Sequence, residues 1–285
     1  MMLIQSMLNW GALFLYAAAT ISAGHYLLTK DLRSSRIMLT LLGIGLFLHF
    51  GAFTARVAVF WSFPENRFFL PVSSFHGALS CMSLALAATF FVIEGQNRLG
   101  ILGALILPWA AGALAAALLF ASPDMTPLEP RLRSYWLNIH PMVLMSAYAA
   151  FANAFGVAVA LLIQERQIKS RKPSELCYRL PSLDELDSLN GRIISWAFPL
   201  LLTGLVMGSI WSRSALGRFW NAGAKECLSM TTAAIYAAFL WLRYGAGRRG
   251  RTTVYVSLLG FSFVLFTFFG AELLSGRHSY MGGGK

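Results

Sequence analysis

A chain of 285 residues in which 57% are hydrophobic and only 12% are charged has too little polar surface to cover a soluble globule. The net charge of +11 has no soluble basic domain to carry it, so a nucleic-acid partner is excluded and the bilayer is the expected surrounding. The apolar runs are about twenty residues long and lack period-two alternation, which excludes a barrel and predicts an all-α, polytopic helix bundle forming a single integral membrane domain over 1–285.

In chain order, the hydropathy and the flanking charges predict spans over 7–28, 37–59, 72–93, 99–121, 141–163, 193–211, 227–243 and 253–274. About eight spans put both termini on one side. The connectors after the odd-numbered spans hold Lys30, Arg33, Arg36, Arg98, Arg166, Lys169, Arg171, Lys172, Arg179, Arg192, Arg243, Arg248, Arg249 and Arg251, fourteen of the 23 basic residues. By the positive-inside rule these connectors are cytoplasmic and both termini lie on the outer, periplasmic side of a bacterial cytoplasmic membrane. The first run has no basic segment before it, and Lys30 follows it, so it reads as a retained span and not as a cleaved signal.

The connector from Gln164 to Arg192 mixes charges and holds Pro173 and Pro181, as a solvated loop does. Within it, Ser182 and Glu185 have the spacing of a capping box that starts a short helix leading into the sixth span. Cys81, Cys177 and Cys227 form no CxxC pair and read as packing residues.

An imidazole in hydrocarbon must be hydrogen-bonded, buried or liganding, so each histidine carries information. His140 stands at the outer entrance of the fifth span and His278 just beyond the outer end of the eighth. Either could simply cap a helix end in the headgroup region. Together, with an outer loop rich in aromatics and arginine, they could instead clamp a flat, anionic, redox-active ligand. Haem answers that description: imidazoles supply axial nitrogens, aromatic rings stack on the macrocycle, and arginine pairs with propionates. His49 falls near the middle of the second span with Arg56 on the same helical face, and is either hydrogen-bonded or a ligand. For His76, at the outer start of the third span, and His25, near the cytoplasmic end of the first, structural roles are the simpler reading.

The chain resembles the CcsA-like cytochrome c assembly proteins, the group that includes the CcmC-type and HemX-type members, over nearly its whole length. HFGAFTAR followed by PVSSFHGAL is similar to that family's transmembrane His, its Arg and its P-x-S-N-x-Y-E segment, with His49, Arg56, Pro71 and Ser73 in place and Ser74, His76 and Gly77 replacing Asn, Tyr and Glu. LNIHPMVLMSAY and FFGAELLSGRHSY resemble the segments that carry the two outer-face haem ligands, which assigns those roles to His140 and His278.

SALGRFWNAGAKECL resembles a reduced tryptophan-rich WWD motif that keeps Gly217, Phe219 for Tyr, Trp220, Lys225 and Glu226. Leu216, Ala222, Gly223, Ala224 and Leu228 stand where the motif has Trp, Trp, Asp, Pro and Trp. Trp241 occupies the position of the family's second transmembrane His, so the usual bis-His site inside the bilayer cannot form.

The resemblance implies a membrane protein that holds haem b at the outer face and presents it to an apocytochrome c CxxCH segment, alongside a membrane partner subunit of cytochrome c maturation. His140 and His278 would ligate the iron, Phe219 and Trp220 shield the macrocycle, and Arg213 or Arg218 pair with propionates, with His49 a further cofactor-binding candidate. The alternative is a HemX-like regulator or scaffold of haem biosynthesis with weak or no haem binding. No nucleophile, base pair or hydrolytic metal motif appears, so an enzyme in the narrow sense is not expected. A small-solute transporter is disfavoured by the lack of paired acids and broken helices within the spans.

Overall fold

The computed structural model describes residues 1–97, 100–128, 130, 133–170, 172–220 and 222–270. Among the described residues every regular element is helical. The helices are α1 (Met2–Thr29), α2 (Leu32–Phe60), α3 (Phe75–Asn97), α4 (Gly103–Phe120), α5 (Trp136–Lys169), α6 (Glu175–Arg179), α7 (Leu183–Leu216), α8 (Ala224–Leu240) and α9 (Arg251–Leu265). Seven of them, all but α6 and α8, are long and apolar enough to cross a membrane, so the chain is a multi-pass membrane protein.

The element expected at 227–243 is present as the 17-residue α8, shorter than the others, and a π-helical turn over Trp241–Gly245 continues it. A second π turn, Phe266–Gly270, continues α9.

Helix ends follow the capping chemistry written in the sequence. Asp31 caps α2 by accepting from the Arg33 N–H at 3.0 Å, and Ser182 caps α7 by accepting from the Glu185 N–H at 3.2 Å. The Ser182 half of the predicted capping box is present, and it opens the long α7 itself instead of a separate short helix. Since α5 also runs on to Lys169, the expected long loop contracts to the stretch between α5 and α7 that holds α6. At its other end α7 stops at Gly217, whose φ of 76° is the left-handed conformation that glycine adopts without a Cβ penalty.

With lipid tails on the outside, helices gain little by hiding apolar surface and associate through close packing of small side chains. Ala12, Ala19 and Ala23 are fully buried on one face of α1, which lies along α2. The centre of the bundle is α5, two-thirds buried along its apolar window, where α1 is about one-fifth buried. It packs along α7 on one side and meets α3 and α9 on others. The ring of Phe151 on α5 stacks on Tyr236 of α8 with centroids 3.7 Å apart.

The ends of the bundle differ in chemistry. At the end expected to be cytoplasmic, Arg243 forms a buried 2.8 Å ion pair with Asp187, Arg192 donates to Asn97 at 2.8 Å, and Lys30 donates to the Tyr178 carbonyl at 2.6 Å. At the opposite end, Asn138 ties α5 to the segment before α3, accepting from the Leu70 N–H at 2.9 Å and donating to the Phe68 carbonyl at 2.8 Å. Phe269, in the π turn that continues α9, meets Phe75 at the start of α3 with ring centroids 6.5 Å apart. The start of α5, the start of α3 and the exit of α9 thus share one end.

Candidate functional site

His140 sits one turn into α5 at that shared end. Its Nδ1 lies 2.8 Å from the carbonyl oxygen of Gly204 on α7. A carbonyl only accepts, so Nδ1 carries the hydrogen and Nε2 keeps a lone pair. This is the arrangement by which proteins orient a metal-bound imidazole, with one nitrogen anchored on backbone and the other presented.

Two glycines make room for it. A Cβ on Gly208 would lie 2.8 Å from His140 Cε1, and one on Gly204 would lie 2.4 Å from Leu144 Cδ2. Gly204 and Gly208 are one helical turn apart, so they form one smooth strip of α7 against which the imidazole lies. The sequence shows their G-x-x-x-G spacing but not the histidine-bearing helix that faces it, so neither glycine stands out from the sequence alone.

The loop after α7 starts about 12 Å beyond Gly208 along the helix axis, at 1.5 Å per residue, and at the same end of the bundle. Phe219 and Trp220 are 60% and 45% exposed there, large apolar rings with no core to bury them. Arg213 lies over the Phe219 ring at 5.6 Å and donates to the Gly217 carbonyl, while Ser212 Oγ donates to the Arg218 carbonyl at 2.8 Å. The backbone of this aromatic stretch is thereby pinned to the end of α7, and the exposed Arg218 side chain is left to face outward. Asn221 and His278 lie outside the described residues; Gly270, the last described, follows Phe269 at the shared end.

The histidines inside the bundle have other surroundings. His49 is fully buried, with Nδ1 3.2 Å from the Tyr16 hydroxyl and Nε2 3.0 Å from Ser80 Oγ. Both nitrogens are spent, so iron ligation there would require one of these bonds to open; the geometry favours the hydrogen-bonded alternative. Arg56 is also buried and donates to the Pro123 carbonyl and to Ser74 Oγ, both at 3.2 Å. Gly77, where the related motif has Glu, leaves no room for any side chain, because a Cβ there would lie 1.9 Å from the Pro71 carbonyl oxygen. His25, at the other end, holds Ser34 Oγ at 2.7 Å through Nδ1. Trp241, at the position of the missing second transmembrane His, is 67% exposed and turned away from the interior.

The residues present fit a haem iron at His140 in its anchored imidazole, whose Nε2 keeps a lone pair, and exposed aromatics and arginine lie at the same end of the bundle. They do not offer that fit at His49.

The family model for the cytochrome c assembly protein family matches residues 72–278. A cytochrome c biogenesis protein CcsA from Synechococcus sp. (strain WH7803) is 30% identical, with 87% of this chain and 86% of the relative covered. The protein of the same name from Gloeothece citriformis (strain PCC 7424) is 28% identical over 74% of this chain and 79% of its own. Among solved structures, a cytochrome c haem lyase CcmF superposes with a TM-score of 0.69 at 16% identity, over 95% of this chain and 46% of that one, a likeness of fold alone. With the family model matching residues 72–278 and a 30% identical relative covering most of both chains, the chain belongs to the cytochrome c assembly protein family.

Proposed function

We propose that this protein acts in cytochrome c maturation, holding haem b at the outer face of the bacterial cytoplasmic membrane and orienting it for attachment to an apocytochrome c CxxCH segment. The observation that carries this reading is the His140 imidazole, anchored through Nδ1 on the Gly204 carbonyl and bedded on Gly208, with Nε2 free. His140 and His278 would ligate the iron. Phe219 and Trp220 cover a face of the macrocycle, and Arg218, with Arg213 beside it, pairs with propionates. When bound, haem supplies the vinyl carbons to which cysteine thiols add; the protein supplies position, exclusion of water and tuning of the iron. α8 with its π turn serves as an eighth span, its combined length of about 33 Å being enough to cross hydrocarbon. Both termini then face outward and the basic connectors lie in the cytoplasm.

A HemX-like regulatory role is the second reading, favoured by the outward-turned Trp241, which leaves the bilayer without its second imidazole. The two separate in one measurement: the absorption spectrum of the detergent-purified protein after expression with ample haem. A Soret band that shifts in His278→Ala is the expected result. A wild-type protein with no Soret band would overturn haem holding and leave the regulatory reading.

A further inference from the structure

The start of α5, where His140 stands, is a weak helix end by its own chemistry. Its N-cap residue, Tyr135, makes no side-chain bond to the helix, and the Ser134 Oγ that accepts from the Trp136 N–H does so at a long 3.4 Å. Pro141 has no N–H to give to the carbonyl one turn back. A turn with these gaps frays unless something outside the helix holds it.

Asn138 supplies the hold. It stands two residues before His140, about 200° away around a helix of 3.6 residues per turn, so the two side chains leave α5 on opposite sides. His140 meets the Gly204 carbonyl on α7. Asn138 meets the segment between α2 and α3, where its Oδ1 accepts from the Leu70 N–H at 2.9 Å and its Nδ2 donates to the Phe68 carbonyl at 2.8 Å. A side-chain amide can do both at once, whereas a carboxylate only accepts and an aliphatic chain does neither.

The segment it grips is firm. Trp61 Nε1 donates to the Phe69 carbonyl at 2.7 Å, and the buried Asn66 donates to the Thr126 carbonyl at 3.0 Å and accepts from the Leu128 N–H at 2.7 Å. The segment is also held in a conformation that its residue types disfavour. Phe68 has a φ of 73°, in the left-handed region that a bulky side chain rarely enters. Its ring is 64% exposed, so burial does not impose that conformation. Strain of this kind persists where neighbouring contacts over-determine it, and Asn138 Nδ2 bonds the carbonyl of that same residue.

We propose that Asn138 is a positioning residue for His140, clamping the first turn of α5 to the α2–α3 segment so that the imidazole stays against Gly204 and Gly208. The clamp stands on the hydrogen bonds alone; its effect on haem rests on the reading of His140 as an iron ligand.

The test uses the full-length protein in detergent as Asn138→Leu and Asn138→Asp, first without haem. In Asn138→Leu, amide hydrogen exchange read by mass spectrometry should quicken about tenfold on both sides of the clamp, over residues 66–72 and 136–145, and stay unchanged in α1. Asn138→Asp keeps the bond from Leu70 but sets a carboxylate oxygen against the Phe68 carbonyl. Negative charge in a first turn favours a helix, so an effect of helix propensity alone would leave exchange in this variant at or below the wild-type rate. The clamp places it between wild type and Asn138→Leu.

With haem added, the loaded Asn138→Leu protein should release haem about tenfold faster than wild type, as lost orientation of a metal-bound imidazole implies. Its Soret maximum should shift, and added imidazole should bring the maximum back. A merely structural role would lower the yield or the thermal midpoint and leave that maximum in place. Unchanged exchange in Asn138→Leu, or exchange raised equally along the whole chain, would overturn the clamp. A loosened first turn with haem release and Soret maximum both unmoved would overturn its role for His140. A wild-type protein that takes up no haem would instead count against the haem reading, and the exchange rates would still decide the clamp.

Discussion

His140 and His49 both stand in membrane-spanning helices, and their surroundings divide them. His49 lies between two hydroxyl groups that engage both of its nitrogens, and no part of it reaches the surface. His140 spends one nitrogen on a backbone carbonyl and keeps the other, against a strip of α7 cleared by two glycines. What separates a structural histidine from a candidate ligand is therefore the count of uncommitted nitrogens and the room around them. Depth in the bilayer does not decide it.

The comparison breaks most visibly at His140. His140→Ala should reduce the Soret absorbance of the purified protein to near background, while His49→Phe should leave haem content within about twofold of wild type, since the groups around a ligand matter chiefly when they orient it. The reverse pattern would transfer the ligand role to His49.

Next in size is the glycine strip. Gly208→Val pushes a side chain into the space of the His140 ring, where even a Cβ is only 2.8 Å from Cε1. The ring must rotate off the Gly204 carbonyl, and haem retention should fall about tenfold, as for lost orientation of a metal-bound imidazole. Overpacking also costs about 1–3 kcal/mol. A Gly208→Ala variant that keeps the fold in a thermal melt yet loses part of the Soret band separates the two effects.

Much of this architecture was legible beforehand. Apolar length, the capping pair Ser182 and Glu185, and the basic connectors located the helices because each rests on local physics. The α8 region was harder: its polar first turn, with Lys225 and Glu226, is helical by propensity, while the π turn over Trp241–Gly245 depends on tertiary contacts such as the buried pairing of Arg243 with Asp187. At the site, His140 could be singled out from its place at a helix entrance. Gly204 and Gly208 could not, because their meaning lies in which helix faces them. Nor did the sequence tell whether His49 was bonded, since Tyr16 and Ser80 are 33 and 31 residues away from it in the chain. His278 lies outside the described residues, and its role rests on the resemblance of its segment.

The smallest effects sharpen the His49 side of the comparison. In His49→Phe the Tyr16 and Ser80 hydroxyls both lose their partner, which should destabilise the protein by about 1–3 kcal/mol per stranded group. Ser80→Ala removes a single bond and one donor or acceptor at once, so nothing is stranded except His49 Nε2. Its cost should be about 1 kcal/mol, visible as a small fall in the thermal midpoint in detergent. The haem spectrum decides what that bond is for. If His49 is purely structural, Ser80→Ala leaves the Soret maximum unmoved, because the freed Nε2 remains inside a packed interior with the Tyr16 ring 5.7 Å away. If the bond instead holds back a latent ligand, freeing Nε2 raises haem content, and the division between the two histidines becomes one of state and not of design.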